Sequence, residues 1–481
     1  MTPTPQSDPR PARGLARLFG ERSEGRLVRG SLLTFGIQGS AAALGLGLHV
    51  ALTWLLQSET QYGLYLMAMS TITIAAVPIV AGWDTVLMRF LAQYDARPGN
   101  AGPGDAPPAQ EPSSDPGHAA KRNSDVNASL DVSALAARNA TLYSLAWFAL
   151  SLLVGWWLLQ SERVPVGWSR TIQACVIVSV PFLAWSMLRQ GALRGRHRGA
   201  ISTIPESILR PVITVSGVAL AALLGTQLNA EVVMLSAVVA GAIAMLAGSL
   251  MLPEWLRVVL VPRFNARDAA ASPSNTAIWR HLASASLMSG LAIVLIQRVD
   301  EWLLGWLVSP AESGVYGPAS RFAGLVVFGL NAVNPILAPM LAASQHDRAE
   351  CQRLAKRGAR LSLLISTPLT LALVFFPRLF LGALPEAYSV GAIVLQILAV
   401  AQWVNAFCGS VGNILSMTGH HRDLARILLF SASMNIALNL LLIPAFGALG
   451  AAIATGTSII TWNILAWLAV KMRLGIDASA I

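Results

Sequence analysis

Twelve apolar runs long enough to cross a lipid bilayer constrain this chain more than any other feature. An α-helix rises 1.5 Å per residue, so a hydrocarbon core of about 30 Å needs about 20 apolar residues. Only elements that satisfy their own backbone hydrogen bonds survive there. The runs lie near 30–56, 61–85, 136–160, 171–192, 203–225, 230–256, 282–307, 313–342, 360–377, 389–413, 423–444 and 448–470. They predict an all-α polytopic membrane protein of about 12 transmembrane helices. Of 481 residues 54% are hydrophobic and only 12% charged, about half the charged share of a typical soluble domain, which excludes most soluble classes. Residues 1–29 are polar and Arg-rich, and no apolar segment precedes Ser31. The first span is therefore expected to act as an uncleaved insertion signal.

The formal charge of +10 suits either nucleic acid binding or membrane topology, and its distribution decides. Lys and Arg accumulate in short cytoplasmic loops. Basic residues crowd the N-terminal tail (Arg10 to Arg29) and then every second loop: Arg189 to Arg198, Arg257 to Arg280, Arg348 to Arg360, Arg422 and Arg426, and finally Lys471 and Arg473. On the opposite side fall only Arg163, Arg170 and Arg378. This alternation predicts both termini in the cytoplasm, in a cytoplasmic (inner) membrane, with no nucleic acid partner. Cys175, Cys351 and Cys408 show no metal-ligand spacing and no extracytoplasmic pair, so neither a disulfide, a metal nor a cofactor is expected.

Residues 97–130 are rich in Pro, Gly, Ala and Ser and read as a disordered cytoplasmic insertion. Internal echoes support an insertion there. Gly63 and Tyr65, opening the second span, align on Gly314 and Tyr316, opening the eighth, at an offset of 251. Arg194–Arg198 aligns on Thr418–Arg422 at an offset of 224, and an insertion of 27 residues in the linker reconciles the two. Two six-span halves that both enter from the cytoplasm form a parallel repeat about an axis along the membrane normal. The expected organisation is a basic cytoplasmic tail 1–29, a first six-helix bundle 30–258 carrying the insertion, a cytoplasmic connector 259–280, a second bundle 281–472 and a cytoplasmic tail 473–481.

The stretch Val299-Asp300-Glu301-Trp302-Leu303-Leu304-Gly305-Trp306, with Glu312 to Tyr316 and Ala319 to Phe322, resembles the seventh and eighth spans of polysaccharide flippases. Asn435 to Pro444, then Gly447 and Gly450 to Ile453, resembles their eleventh and twelfth. These are the O-antigen and exopolysaccharide repeat-unit exporters of the multidrug, oligosaccharidyl-lipid and polysaccharide exporter superfamily. The resemblance implies two six-helix bundles around a central cavity. It also implies alternating access that carries a polyprenyl-diphosphate-linked oligosaccharide across the membrane for surface polysaccharide synthesis, with H+ or Na+ and the polymerase and export machinery as candidate partners.

A diphosphate crossing hydrocarbon needs fixed cations, best supplied by the Arg fork. From Leu282 to Ile296 there are only 15 residues, about 22 Å of helix, so the seventh span must continue through Gln297, Arg298, Asp300 and Glu301. These four fall within about 160° of a helical wheel. Arg321 in the eighth span lies at nearly the depth of Asp300. One reading is ion pairing, Arg321 with Asp300 or Arg298 with Glu301, that fixes helix register. A second is that Arg298 or Arg321 meets the diphosphate while the carboxylates release it or couple to ions. A third is a rim position reached by interfacial water. Asn331, Asn334, Asn405, Asn413 and Gln38 read as helix-to-helix hydrogen-bonding groups or as ligands for sugar. His49, repeat-equivalent to Asp300, is packed and neutral or is a second coupling candidate. Glu206 and Arg210, one turn apart, are expected to pair.

Other classes fit less well. A drug or cation antiporter of the same superfamily shares the two-bundle plan. A glycosyl polymerase or ligase needs a large outer loop, and every outer loop here is short. A non-transporting scaffold of an export complex is a further alternative.

Overall fold

The computed structural model describes residues 24–95, 167–196, 199–251, 273–343 and 347–480, with a few isolated positions between 142 and 153. The expected third span, the 97–130 insertion, most of the tail 1–29 and residues 259–272 of the connector lie outside the described residues. In chain order the helices are α1 (Glu24–Leu56), α2 (Glu59–Val80), α3 (Trp83–Asp95), α4 (Arg170–Gly195), α5 (Gly199–Ser202), a π-helical turn (Pro205–Leu209), α6 (Arg210–Leu223) and α7 (Ala230–Leu250). Then follow α8 (Pro273–Leu307), α9 (Pro310–Gly324), a 3₁₀ turn (Leu325–Val327), α10 (Phe328–Ala343), α11 (Arg348–Phe375), α12 (Pro377–Leu381), a second 3₁₀ turn (Glu386–Gly391), α13 (Ala392–Cys408), α14 (Val411–Met417) and α15 (His421–Leu474).

Nine helical segments among the described residues are long and apolar enough to cross a membrane, so the chain is a multi-pass helical membrane protein. One of them holds two of the expected spans. At 54 residues α15 would be a rod of about 80 Å, far beyond one crossing. The chain leaves helical geometry at Gly447 (φ 55, ψ −133), between the expected eleventh and twelfth spans. The expected eighth span is divided into α9 and α10 by the 3₁₀ turn. Helix starts carry side-chain caps that satisfy otherwise orphaned N–H groups: Ser58, Ser169, Asn229, Ser309 and Asp347 each accept from the backbone three residues on.

Two expected spans end early. The second stops at Val80, because Ala81 (φ 50) and Gly82 (φ 76) take left-handed backbone and redirect the chain into α3. Gly82 is required there twice over, since a Cβ would strike the carbonyl of Ala283 on α8. The tenth stops at Cys408, where Gly409 (φ 71) separates α13 from α14.

Helix α2 sits at the centre, packed against α8 and α9 on one side and α4 on the other. Its contact with α9 is close and reciprocal. A Cβ on Gly63 would collide with the carbonyl oxygen of Pro310, and one on Gly314 would collide with that of Glu59. Pro310 follows Glu59, as Gly314 follows Gly63, by the offset of 251 read from the sequence. Reciprocal contacts between equivalent residues are what a local two-fold relation produces. Gly305 and Gly317 extend the groove, leaving room for Met67 and Leu66 of α2. The largest buried core runs through these helices, and a second one joins α10, α11, α14 and the end of α15.

Candidate functional site

The charged face of α8 meets α2, α9 and α15 in one buried polar network. Helix α8 carries Asp300 and Glu301 near its C-terminal end, each only 1% exposed. Glu301 Oε1 lies 2.7 Å from Nη1 of Arg321 on α9, and its Oε2 lies 3.5 Å from Nη1 of Arg298 one turn back on α8. The hydroxyl of Ser70 on α2 donates to Oε2 at 2.6 Å. Ser70 and Arg321 are related by the same repeat offset, so two equivalent positions of α2 and α9 converge on one carboxylate. Arg321 Nε also donates to Nε2 of His49 at 3.3 Å, and His49 Nδ1 lies 2.8 Å from the hydroxyl of Tyr62. Since Nε2 accepts, the imidazole is neutral with its proton on Nδ1, directed at Tyr62.

Asp300 faces a different set of groups. Its Oδ1 accepts from the Glu301 backbone N–H at 2.8 Å, and its Oδ2 accepts from the Tyr316 hydroxyl and, at 3.0 Å, from Thr455 on α15. Asn435 Nδ2 donates to the Thr455 hydroxyl at 3.3 Å, and Asn439 Nδ2 donates to the Asn435 carbonyl at 2.9 Å. Asn439 Oδ1 is buried and has no hydrogen-bond partner among the described residues. Two arginines and two carboxylates therefore balance in charge, but both arginines point at Glu301.

The expected pairing of Arg321 with Asp300 is thus corrected. The two acids are adjacent in sequence and 100° apart on the helix, and the one turned toward α9's arginine is Glu301. The expected Arg298–Glu301 and Glu206–Arg210 pairs are present, at 3.5 Å and 3.6 Å. Gln297 is exposed, as is Asn331 on α10. Asn405 donates to Gln402, Asn334 accepts from Ser410, and Gln38 Oε1 is buried with no hydrogen-bond partner among the described residues. None of Gln297, Gln38, Asn331 or Asn405 hydrogen-bonds to the Glu301 network among the described residues. Sequence reasoning overlooked Ser70, Tyr316 and Thr455. Their signals were the repeat offset for Ser70 and the Tyr65–Tyr316 echo; Thr455 had none beyond being polar within an apolar run.

These helices and crossings have close counterparts among solved structures. A lipid II flippase MurJ in an inward closed conformation superposes with a TM-score of 0.66 at 13% identity, covering 92% of this chain and 87% of that one. A multidrug resistance MATE family transporter of the MOP superfamily, inward-facing, superposes with 0.63 at 14% identity, covering 92% and 98%. The chain therefore shares the fold of these two structures. Residues 198–384 match a family model described as "Polysaccharide biosynthesis protein". The chain is also similar to the "Probable flippase AglR" of Haloferax volcanii, 30% identical over 173 residues, 35% of this chain and 36% of that protein. The "Probable low-salt glycan biosynthesis flippase Agl15" of the same organism is 22% identical over 183 residues, 37% of this chain and 39% of that one. Alignments to the curated relatives span between about a fifth and two-fifths of those proteins' own lengths.

Proposed function

We propose that this chain moves polyprenyl-diphosphate-linked oligosaccharide units across the cytoplasmic membrane by alternating access, as a transporter and not an enzyme. The observation that carries this reading is the convergence of Arg298 and Arg321 on the single buried carboxylate of Glu301. A diphosphate offers the same planar oxygen pairs as a carboxylate with more charge, so it competes for both guanidinium forks. Glu301 holds the two cations in register until the substrate arrives, and Asp300 supplies the second negative charge that balances them. It recovers them when the substrate leaves.

Asp300, hydrogen-bonded to Tyr316 and Thr455 beside the unpartnered Asn439 Oδ1, is the coupling candidate for H+ or Na+. His49 touches Arg321 directly and would relay a change there to Tyr62. The halves are residues 30–258 and 281–472, with both termini cytoplasmic. In that orientation the Gly63–Gly314 crossing and the Glu301 network close the outer side between α2 and α9, and that closure must part for release.

The test is a deletion strain complemented with Arg298→Ala, Arg321→Ala or Asp300→Ala at matched protein level. The arginine variants are expected to accumulate inner-leaflet lipid-linked oligosaccharide and to lose surface polysaccharide. Full restoration by all three contradicts the site, and a deletion that leaves surface polysaccharide untouched contradicts the function. The similarity to MATE transporters favours one other reading, a cation-coupled antiporter of small molecules. Efflux of organic cations by the purified protein would establish it.

A further inference from the structure

Arg189 near the end of α4 is one of the largest fully buried side chains, only 1% exposed. Its position counts it among the basic residues of a loop, yet its guanidinium lies against α7, in the space a Cβ on Gly248 would fill. Among the described residues none of its three nitrogens makes a hydrogen bond, and the nearest acid, Glu206 Oε1, stands 4.0 Å away and itself has no hydrogen-bond partner. Glu206 is shared with Arg210, 3.6 Å from its other oxygen. The local charge is two cations against one anion, in surroundings where an unpaired buried charge is costly.

The backbone is built around this excess. Glu206 sits in the π-helical turn Pro205–Leu209, a geometry that widens a helix and recurs at functional sites. Beside it lies a narrow recess with room for about one water molecule, lined by Ser179, Glu206 and Arg210 and by the apolar Phe182, Leu183 and Ala237. Arg210 also reaches Sδ of Met69 at 3.9 Å, next to Ser70, whose hydroxyl holds Glu301. Met69 and Ser70 are consecutive residues of α2, so the two arginine groups meet the same stretch of that helix.

We infer that Arg189, Arg210 and Glu206 form a second anion site, which takes the diphosphate group of the lipid-linked substrate at the cytoplasmic side before it passes α2 to Arg298 and Arg321. This rests on the flippase reading and adds a loading step to it. Phosphate oxygens complete the donors that Arg189 leaves unused, and Glu206 is the competitor they displace.

The test is binding of polyprenyl diphosphate to the full-length protein in nanodiscs of zwitterionic lipid, with phosphatidylglycerol and inorganic diphosphate as separate competitors. Arg189→Gln is expected to weaken binding about tenfold or more, the scale of one lost charge-assisted contact. Glu206→Gln is expected to tighten it several-fold, a gain that mere structural damage does not produce. Unchanged binding in both Arg189→Gln and Glu206→Gln overturns the proposal. So does competition by phosphatidylglycerol as strong as by polyprenyl diphosphate, which would assign the site to bulk lipid headgroups, or by inorganic diphosphate alone, which would assign it to a soluble anion. Failure of the flippase reading appears separately, as a deletion strain that keeps its surface polysaccharide. Failure of this site alone appears as unaltered binding in protein that supports that polysaccharide.

Discussion

Gly63 on α2 and Gly314 on α9 face one another so closely that neither helix has room for a side chain at the crossing. A methyl at either position meets backbone, which cannot swing aside as a flexible side chain does. Gly63→Ala and Gly314→Ala are expected to destabilise the folded protein by several kcal/mol, the scale of overpacking or more. Gly45→Ala, which meets nothing within 4 Å, is expected to be neutral or slightly stabilising. Thermal unfolding in detergent checks the contrast.

Glu301 and Arg298 should respond unequally to neutralisation. Glu301→Gln leaves two arginines facing one another without the carboxylate between them, a loss of about 3–5 kcal/mol typical of a broken buried pair. Arg298 is about one-third exposed (32%), so Arg298→Gln should cost about 1 kcal/mol or less. Comparing the two midpoints in denaturant tests the assignment of Glu301 as the shared partner, and equal losses would count against it.

The turn between the last two spans depends on Gly447, whose φ of 55 and ψ of −133 lie where residues with a Cβ are strained. Glu312 of α9 secures that turn by accepting from the Ala448 N–H at 2.8 Å. Gly447→Ala should lower stability by about 1–3 kcal/mol. Glu312→Gln, which keeps an acceptor, should lower it less than Glu312→Ala. Protease sensitivity of the turn reads both.

Leu66 and Gly317 touch across the α2–α9 interface. With Cys175, Cys351 and Cys408 replaced, Leu66→Cys and Gly317→Cys place two thiols across this contact for cross-linking by oxidation. Oxidation is expected to abolish transport and reduction to restore it, since the proposed cycle opens this interface. Transport that continues in the oxidised protein would show that it stays closed throughout.

The helical, multi-spanning fold was legible because bilayer thickness writes itself into run length. Breaks within runs were not. Nothing in Ala81-Gly82 or Leu325–Val327 interrupts hydropathy, and their turns follow from how close α8 and neighbouring helices approach. The charged face of α8 was legible as a face, but which acid met which arginine depends on the rotation of α8 against α9. Arg189 was misread for a related reason. Six residues from the end of α4 it resembles a loop cation, and only the absence of a side chain at Gly248 on a distant helix lets it turn inward. Ser70 and Thr455 carry no charge, so their importance depends entirely on what faces them.

The most direct measurement is flipping of lipid-linked oligosaccharide by the purified protein in proteoliposomes, scored by the fraction reaching the opposite leaflet. Wild type is expected to equilibrate the two leaflets. Arg321→Gln at equal reconstitution should leave the lipid where it was loaded. Equal flipping by wild type and Arg321→Gln, or no flipping by wild type beside active efflux of organic cations, would contradict the account.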